Sequence, residues 1–288
     1  LRGVPGAVAH HHVTSPDGAS IHIAEQGEGR PVVLLHGVGL QWWAYSAQFR
    51  LLAGRARVLA WDMRGHGDST VGDDGMTLEA IADDLAAMLE QLDLRDAVVV
   101  GHSMGGMALA RFCAAHPSVL ADRVSAMVFL STSAATIDAD TTIGAVVGLS
   151  NMITRVSRDG SRFHYGWRDT NLSALLVRAA FGRRPSGQAV DDVRRMMSEL
   201  PPEVATAVGR SIATHDVRSE LAHVRTPTAV VVGSADRLTS VRHAKVIAEE
   251  VRGAELHVLD GIGHQVMQEA PEELVEVIED LLATTATR

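Results

Sequence analysis

The sequence contains one cysteine, Cys113, among its 288 residues. An internal disulfide is therefore impossible, and we expect a reducing compartment, the cytoplasm, because disulfides are rare there. Cys113 falls in a predicted helix that should pack against the core. We expect it to be a small buried residue rather than a nucleophile.

Long apolar runs and an excess of positive charge are also absent. No apolar run reaches the roughly 18 residues of a membrane span, and residues 1–9 lack the charged and apolar blocks of a signal peptide. Acidic residues outnumber basic ones by 35 to 26, for a formal net charge of -9. Nucleic-acid-binding domains are usually basic. We therefore expect a small-molecule partner, with no nucleic acid and no membrane span; the sequence leaves the oligomeric state open.

Histidine is frequent, and three of the fourteen histidines are adjacent: His10, His11 and His12. Side chains alternate along an extended strand, so three neighbours cannot all face one ion. We interpret the run as the start of a strand and predict neither a metal site nor an organic cofactor.

Short apolar runs alternate with amphipathic segments along most of the chain. Residues 31–35 are continuously apolar, as is typical of a strand covered on both faces. Residues 77–92 carry apolar side chains at helical spacing, with Thr77 as the expected N-cap. This alternation predicts an α/β fold, a mostly parallel eight-stranded sheet flanked by helices. The predicted strands are 11–14, 20–25, 31–35, 57–61, 97–100, 126–130, 228–232 and 255–259.

The alternation stops between residues 137 and 216. This stretch has no strong strand signal and predicts several helices, among them 172–181 and 190–200. Because strands resume after it, we interpret it as a helical insertion in one core made of residues 1–136 and 217–288.

The most informative motif is Gly101-His102-Ser103-Met104-Gly105-Gly106, directly after an apolar strand and before a predicted helix at 107–115. A Gly-x-Ser-x-Gly turn between strand and helix places a serine hydroxyl at the carboxyl edge of a sheet. Four further motifs follow the same order along the chain. They are His36-Gly37, the block from Asp62 to Ser69, the Gly233-Ser234-Ala235-Asp236-Arg237 turn, and Gly263-His264.

With these five motifs the chain resembles the α/β-hydrolase family, and in particular its serine hydrolases of the esterase and lipase type. The resemblance extends over almost the full length. It implies that the insertion is a cap over the active site. It also implies a catalytic triad in the chain order Ser103, Asp236 and His264. Asp138 and Asp140 follow another strand and are the alternative acids.

The resemblance further implies an oxyanion hole formed by the backbone N–H groups of Val38 and Met104. The block from Asp62 to Ser69 is interpreted as structural, with Arg64 and Asp68 fixing its loop.

Aromatic residues are scarce, eleven in all, and they concentrate in two segments. If the insertion is a cap, both segments face one apolar cavity above Ser103, lined by His36, Trp42 and Trp43. Alternatively, the rings only attach the cap to the body. The two clusters are Trp42, Trp43, Tyr45 and Phe49, and Phe163, Tyr165, Trp167 and Phe181.

The leading functional prediction is hydrolysis of a carboxylic ester with an apolar acyl or aromatic group, through an acyl-enzyme. A carbon–carbon bond hydrolase with the same triad is the nearest alternative. A thioesterase, a lactonase, a cofactor-free peroxidase-like enzyme and a non-catalytic ligand receptor also stay open.

Overall fold

The structure, a computed structural model, describes residues 7–136, 175 and 177–285. Within these ranges eight strands form one sheet in the order β1-β2-β4-β3-β5-β6-β7-β8. The strands are β1 Ala9–Thr14, β2 Ser20–Gln26, β3 Pro31–Leu35, β4 Arg57–Trp61, β5 Ala97–His102, β6 Val124–Leu130, β7 Thr228–Gly233 and β8 Glu255–Leu259.

The sheet is mostly parallel. Strand β2 is antiparallel to both β1 and β4, whereas β4, β3, β5, β6, β7 and β8 run parallel to one another. Every residue of β3, β5, β6 and β7 is buried, as expected for central strands that helices cover on both faces. The predicted fold class is confirmed.

Helices pack on both faces of this sheet. In β3, Val33 and Leu35 belong to the core on one face, and Val32 and Leu34 to the core on the other. The described helices are a 3-10 turn Trp42–Tyr45, α1 Ser46–Leu51, α2 Leu78–Gln91, α3 Met104–Ala115, α4 Pro117–Arg123, α5 Gly187–Ser198, α6 Pro202–Ile212, α7 Arg218–Leu221, α8 Val241–Glu250, α9 Val266–Glu269 and α10 Pro271–Thr284.

Local signals fixed several helix ends. The Thr77 side chain accepts a hydrogen bond from the Ala80 N–H and caps α2, as predicted. Helix α5 covers 187–198 where 190–200 was predicted. Of the predicted helix 172–181, residues 172–174 and 176 lie outside the described residues. None of the helices in the described ranges has the length and hydropathy that crossing a membrane requires.

Cys113 is buried in α3, as expected for a core residue, and burial raises the pKa of its thiol to about 12. A thiol with so high a pKa is protonated at neutral pH and is a poor nucleophile.

A buried arginine holds together the loops that follow β1 and β4. The Arg64 side chain is fully buried and donates two hydrogen bonds to the Asp84 carboxylate, at 2.8 and 2.7 Å. It donates two more to Asp17, at 2.8 and 3.2 Å, and others to the Gly75 carbonyl and the Ser15 hydroxyl. The predicted loop-fixing role of Arg64 agrees with these contacts.

Asp62, rather than the carboxylate of Asp68, fixes the other half of that loop. The Asp62 carboxylate accepts hydrogen bonds from the backbone N–H groups of Trp42 at 2.8 Å and Asp68 at 3.2 Å. In the part of the chain that the structure describes, no hydrogen bond reaches the Asp68 carboxylate.

Replacing Arg64 with alanine is expected to destabilise the protein by about 3–5 kcal/mol, because two buried carboxylates would lose their partner. Urea unfolding at pH 7.5 measures the change. Arg55→Ala is the matched control, since Arg55 pairs with Glu279 on the surface and its loss should cost less than about 1 kcal/mol. Equal effects of the two substitutions would contradict the role of burial.

Candidate active site

Ser103 lies at the carboxyl end of β5, directly before α3, and its backbone is strained. Its φ of 52° and ψ of -117° fall in a region that side-chain-bearing residues rarely adopt. A Cβ at Gly101 would lie 2.6 Å from the carbonyl oxygen of Gly105, and one at Gly105 would lie 2.6 Å from that of Leu35. Glycine is therefore required on both sides of the serine, as predicted, and α3 begins at residue 104 rather than 107.

Asp236 and His264 form a buried pair at the same edge of the sheet. Asp236 follows β7 and His264 follows β8. Because the carboxyl ends of neighbouring parallel strands meet at one edge of the sheet, the two side chains lie close together. The His264 Nδ1–H donates to the Asp236 Oδ2 at 2.9 Å. The two side chains are 5% and 0% exposed, respectively, so water does not compete for this hydrogen bond.

The Asp236 carboxylate is held in its ionised form. Burial by itself would raise its pKa, but the His264 ring and hydrogen bonds from the backbone N–H groups of Leu238 and Thr239 outweigh burial and lower it. Those two N–H groups lie 2.8 and 3.0 Å from the Asp236 Oδ1. The carboxylate can therefore accept from His264 and hold the Nδ1–H tautomer.

Thr239 is a site residue that sequence reasoning missed. Its hydroxyl donates to the Asp236 Oδ2 at 3.1 Å and lies 3.2 Å from the His264 Nδ1. It is fully buried. The available signal was a threonine three residues after an aspartate in a turn, where Asp side chains commonly accept local hydrogen bonds.

His264 contacts the turn that carries Ser103, called the elbow below, through His102 and not through the serine itself. The His102 Nε2–H donates to the His264 carbonyl at 2.9 Å, and the two ring centroids are 4.7 Å apart. The structure describes both residues, and no hydrogen bond joins the Ser103 hydroxyl to the His264 ring. Such bonds are often long in unliganded enzymes and shorten with substrate.

The backbone N–H groups of Val38 and Met104 donate to no acceptor among the described residues. The loop after β3 lies against the elbow, because a Cβ at Gly37 would be 3.0 Å from the Ser103 Cβ and 2.9 Å from the His102 Nδ1. Both N–H groups thus belong to segments that meet at the serine.

His36, Trp42 and Trp43 each have contacts that explain their presence without a ligand. His36 is fully buried; its Nδ1–H donates to the Gly37 carbonyl, and its Nε2 accepts from the Met63 N–H. The Trp42 ring packs edge-on against Phe49. The Trp43 Nε1–H donates to Gln41. Their assignment to a substrate pocket stays a prediction.

Helices α5 and α6 lie over the loops that follow β3 and β4. The Met197 Cγ is 3.1 Å from where a Gly39 Cβ would be, and Val204 is 3.0 Å from the same point on Gly65. The Gln41 amide donates to Glu199 at 2.7 Å. Asp138, Asp140, Phe163, Tyr165 and Trp167, named above as candidate acids and pocket rings, lie outside the described residues.

The loop that carries His264 is bound to the segment between β6 and β7. The His264 N–H donates to the Ala180 carbonyl at 2.7 Å, and the Arg183 N–H to the Gly261 carbonyl at 2.9 Å. The Glu269 carboxylate accepts from the N–H groups of Gly182, at 2.6 Å, and of Gly263, at 3.0 Å. Nothing in the local sequence indicated this arrangement.

One group of side chains could hold a metal ion by distance alone. It comprises His22, Asp62 and Asp68, whose potential ligand atoms lie within 4.8 Å of one another. This group lies on the β2 side of the sheet, away from Asp236 and His264. A metal ion held by this group would therefore occupy a site separate from that of the serine.

The comparisons with known proteins agree with this fold. The sequence profile of the Alpha/beta hydrolase family matches residues 32–277, and the chain belongs to that family. A non-heme chloroperoxidase of Kitasatospora aureofaciens is 30% identical over 258 residues, which cover 88% of this chain and 91% of that protein.

Two solved esterases are similar in structure. The thermophilic esterase of Thermogutta terrifontis has a TM-score of 0.79 at 25% identity, over 96% of this chain and 99% of that one. The esterase of Exiguobacterium antarcticum has a TM-score of 0.80 at 19% identity, over 96% and 100%, which supports the fold alone. The chain is thus an alpha/beta hydrolase with esterase and haloperoxidase relatives.

Three buried histidines near the elbow are neutral at neutral pH. Burial lowers the pKa of His36, and it lowers those of His66 and His102 to about 3. As neutral rings they accept or donate single hydrogen bonds, such as that from the Gly39 N–H to the His66 Nε2 at 3.1 Å. Their neutrality makes stability depend on pH.

Because the folded pKa of these histidines is below the unfolded value of 6.5, the unfolded chain binds protons first as the pH falls. The free energy of unfolding should therefore decrease between pH 6.5 and 4.5, with His66 and His102 each contributing up to about 1.4 kcal/mol per pH unit. Urea unfolding across this range tests it. His66→Gln should reduce the slope and His223→Gln, at an exposed position, should not; a flat wild-type profile would contradict the assignment.

Proposed function

We propose that the protein is a serine hydrolase that cleaves a carboxylic ester with an apolar acyl or aromatic group. The observation that carries the proposal is the buried hydrogen bond between His264 and Asp236, at 2.9 Å, at the sheet edge where Ser103 follows β5. An ionised carboxylate that fixes a histidine tautomer beside a strained serine is the arrangement that makes a hydroxyl nucleophilic.

In the first half of the reaction, the Ser103 Oγ attacks the ester carbonyl carbon while its proton passes to the His264 Nε2. The N–H groups of Val38 and Met104 stabilise the oxyanion. The carbon–oxygen bond to the alcohol then breaks, and His264 returns the proton to the departing alcohol. Ser103 is left acylated.

In the second half, a water molecule attacks the acyl carbon and gives its proton to His264. The bond to the Ser103 Oγ breaks, the carboxylic acid is released, and the serine regains its proton. Asp236 stays ionised throughout and stabilises the imidazolium that forms twice. Thr239 supports this role because it contacts both members of the pair.

One further observation supports an enclosed site. The 37–41 loop is covered by α5, through the contacts of Gly39 with Met197 and of Gln41 with Glu199. We infer that the segment 137–216 acts as the cap over the serine. The esterase of Thermogutta terrifontis, at 25% identity, favours ester cleavage over carbon–carbon cleavage.

The chloroperoxidase relative favours a second candidate. Hydrogen peroxide in place of water would attack the acyl-enzyme and release a peracid, which oxidises a halide ion to hypohalous acid as it becomes the carboxylate. Bromination of a phenolic dye in the presence of peroxide, bromide and acetate would detect this activity. An acid-releasing hydrolase without it would leave the dye unchanged.

A fluorophosphonate probe should label the wild-type protein, and Ser103→Ala should remain unlabelled because the hydroxyl that His264 activates is gone. Hydrolysis of p-nitrophenyl esters of increasing chain length should be lost with it. Ser219→Ala, at an exposed serine outside the site, is the control and should keep both signals. Labelling of Ser103→Ala at the wild-type rate would exclude Ser103 as nucleophile.

Asp236→Asn should lower kcat by a factor of about 10⁴, because an amide can hold the wrong tautomer of His264. Steady-state kinetics with the best p-nitrophenyl ester measures it. Asp122→Asn, a surface position, serves as the control. A loss of less than tenfold in Asp236→Asn would point to another acid, such as Asp138 or Asp140.

A further inference from the structure

The His22 ring contacts the rings of His10 and His12 at the β1 edge of the sheet, whereas Ser103 follows β5, three strands away from β2. Residues His10 and His12 are two apart on β1 and therefore share a face. His22 on β2 lies opposite His12 in the antiparallel register. The His22 ring centroid is 5.1 Å from that of His10 and 5.4 Å from that of His12. His11 faces the other side, where it lies 3.5 Å from Glu25.

The His22 ring is oriented by a carboxylate. Its Nδ1–H donates to the Asp62 Oδ2 at 2.8 Å, and both side chains are almost fully buried. With Nδ1 engaged by Asp62, the Nε2 of the His22 ring is the nitrogen that remains to face other groups.

That nitrogen faces His10. The His10 Nδ1 lies 2.9 Å from the His22 Nε2. A tetrahedral ion with metal–nitrogen bonds of about 2.0–2.1 Å separates its nitrogen ligands by about 3.3–3.4 Å. Opening the gap by about 0.5 Å is enough to exchange the shared proton for an ion. His10 is exposed, so its ring can move by that amount.

We propose that His10, His12 and His22 bind one divalent transition-metal ion, with Asp62 as the carboxylate that orients His22. Imidazole nitrogens favour Zn²⁺, Ni²⁺ and Cu²⁺ over Mg²⁺ or Ca²⁺, and a ligating histidine usually donates its other N–H to a carboxylate. Asp68, whose carboxylate is within 4.8 Å of ligand atoms of His22 and Asp62, can supply a fourth ligand. The ion would join the edge strand β1 to β2.

Trp42 lies close enough to the proposed site to report ion binding through its fluorescence. The Trp42 ring is 5.3 Å from the His10 ring, edge to face, and the Trp42 N–H donates to Asp62. A paramagnetic ion bound to His10 should therefore quench Trp42 fluorescence, which an ion on an unrelated surface histidine would not do.

The test is titration of chelator-treated protein with ZnCl₂ by calorimetry at pH 7.5, where neutral imidazoles bind metal. We expect one ion per chain and a rise in the thermal unfolding midpoint, since binding stabilises the folded state. His10→Ala and His12→Ala, both at exposed positions, should each weaken binding on the order of tenfold or more. His11→Ala, on the opposite face of the same strand, should bind as the wild type does.

Quenching by CuCl₂ should follow the same pattern: present in the wild type and in His11→Ala, and lost in His10→Ala. The proposal is overturned if the wild type binds no Zn²⁺, if His10→Ala or His12→Ala binds like the wild type, or if His11→Ala weakens binding as much as they do. His22→Gln should also lose the ion. Because His22 is buried, the two exposed variants decide the matter if His22→Gln does not fold.

Discussion

Helix α3 leaves strand β5 so closely that neither glycine beside Ser103 has room for a side chain. A Cβ at Gly101 would lie 2.7 Å from the Gly106 Cα, and one at Gly105 would lie 2.7 Å from the His36 carbonyl oxygen. At this tight turn Ser103 has a positive φ, and α3 begins at the next residue. Every other part of the candidate site is arranged around this turn.

The polar groups near this turn are buried, and each depends on a specific partner. Asp236 remains ionised because three N–H groups and a hydroxyl donate to it. The His102 ring, by contrast, is neutral because burial lowers its pKa. The buried surroundings of His264 thus combine one ionised carboxylate with a neutral imidazole ring.

The sequence could predict features that depend on neighbours in the chain. Strands β3, β4 and β8 have the predicted ends, because apolar runs bounded by turn residues are local signals. The start of α3 differed, since Gly105 and Gly106 resemble turn residues and are instead required by contacts with β3 and Thr132. Thr239 was missed because its role depends on a partner 25 positions away.

The histidine run shows the same limit. Alternation along β1 correctly separates His11 from its neighbours. The residue that faces His12, His22, depends on the register between β1 and β2, which the sequence pattern does not determine. Periodicity alone could not place Asp62 behind that ring, because β4 joins β2 only through the strand order of the sheet.

The junction between Gly182 and the loop 261–263 has a practical consequence for engineering. A side chain on Gly182 would lie 2.1 Å from the Gly261 carbonyl oxygen. The Glu269 carboxylate accepts hydrogen bonds from the N–H groups of Gly182 and Gly263, one on each side of this junction. The segment between β6 and β7 is therefore not a module that can be exchanged freely. A chimaera that takes this segment from a relative must also keep, or bring with it, the matching turn before His264.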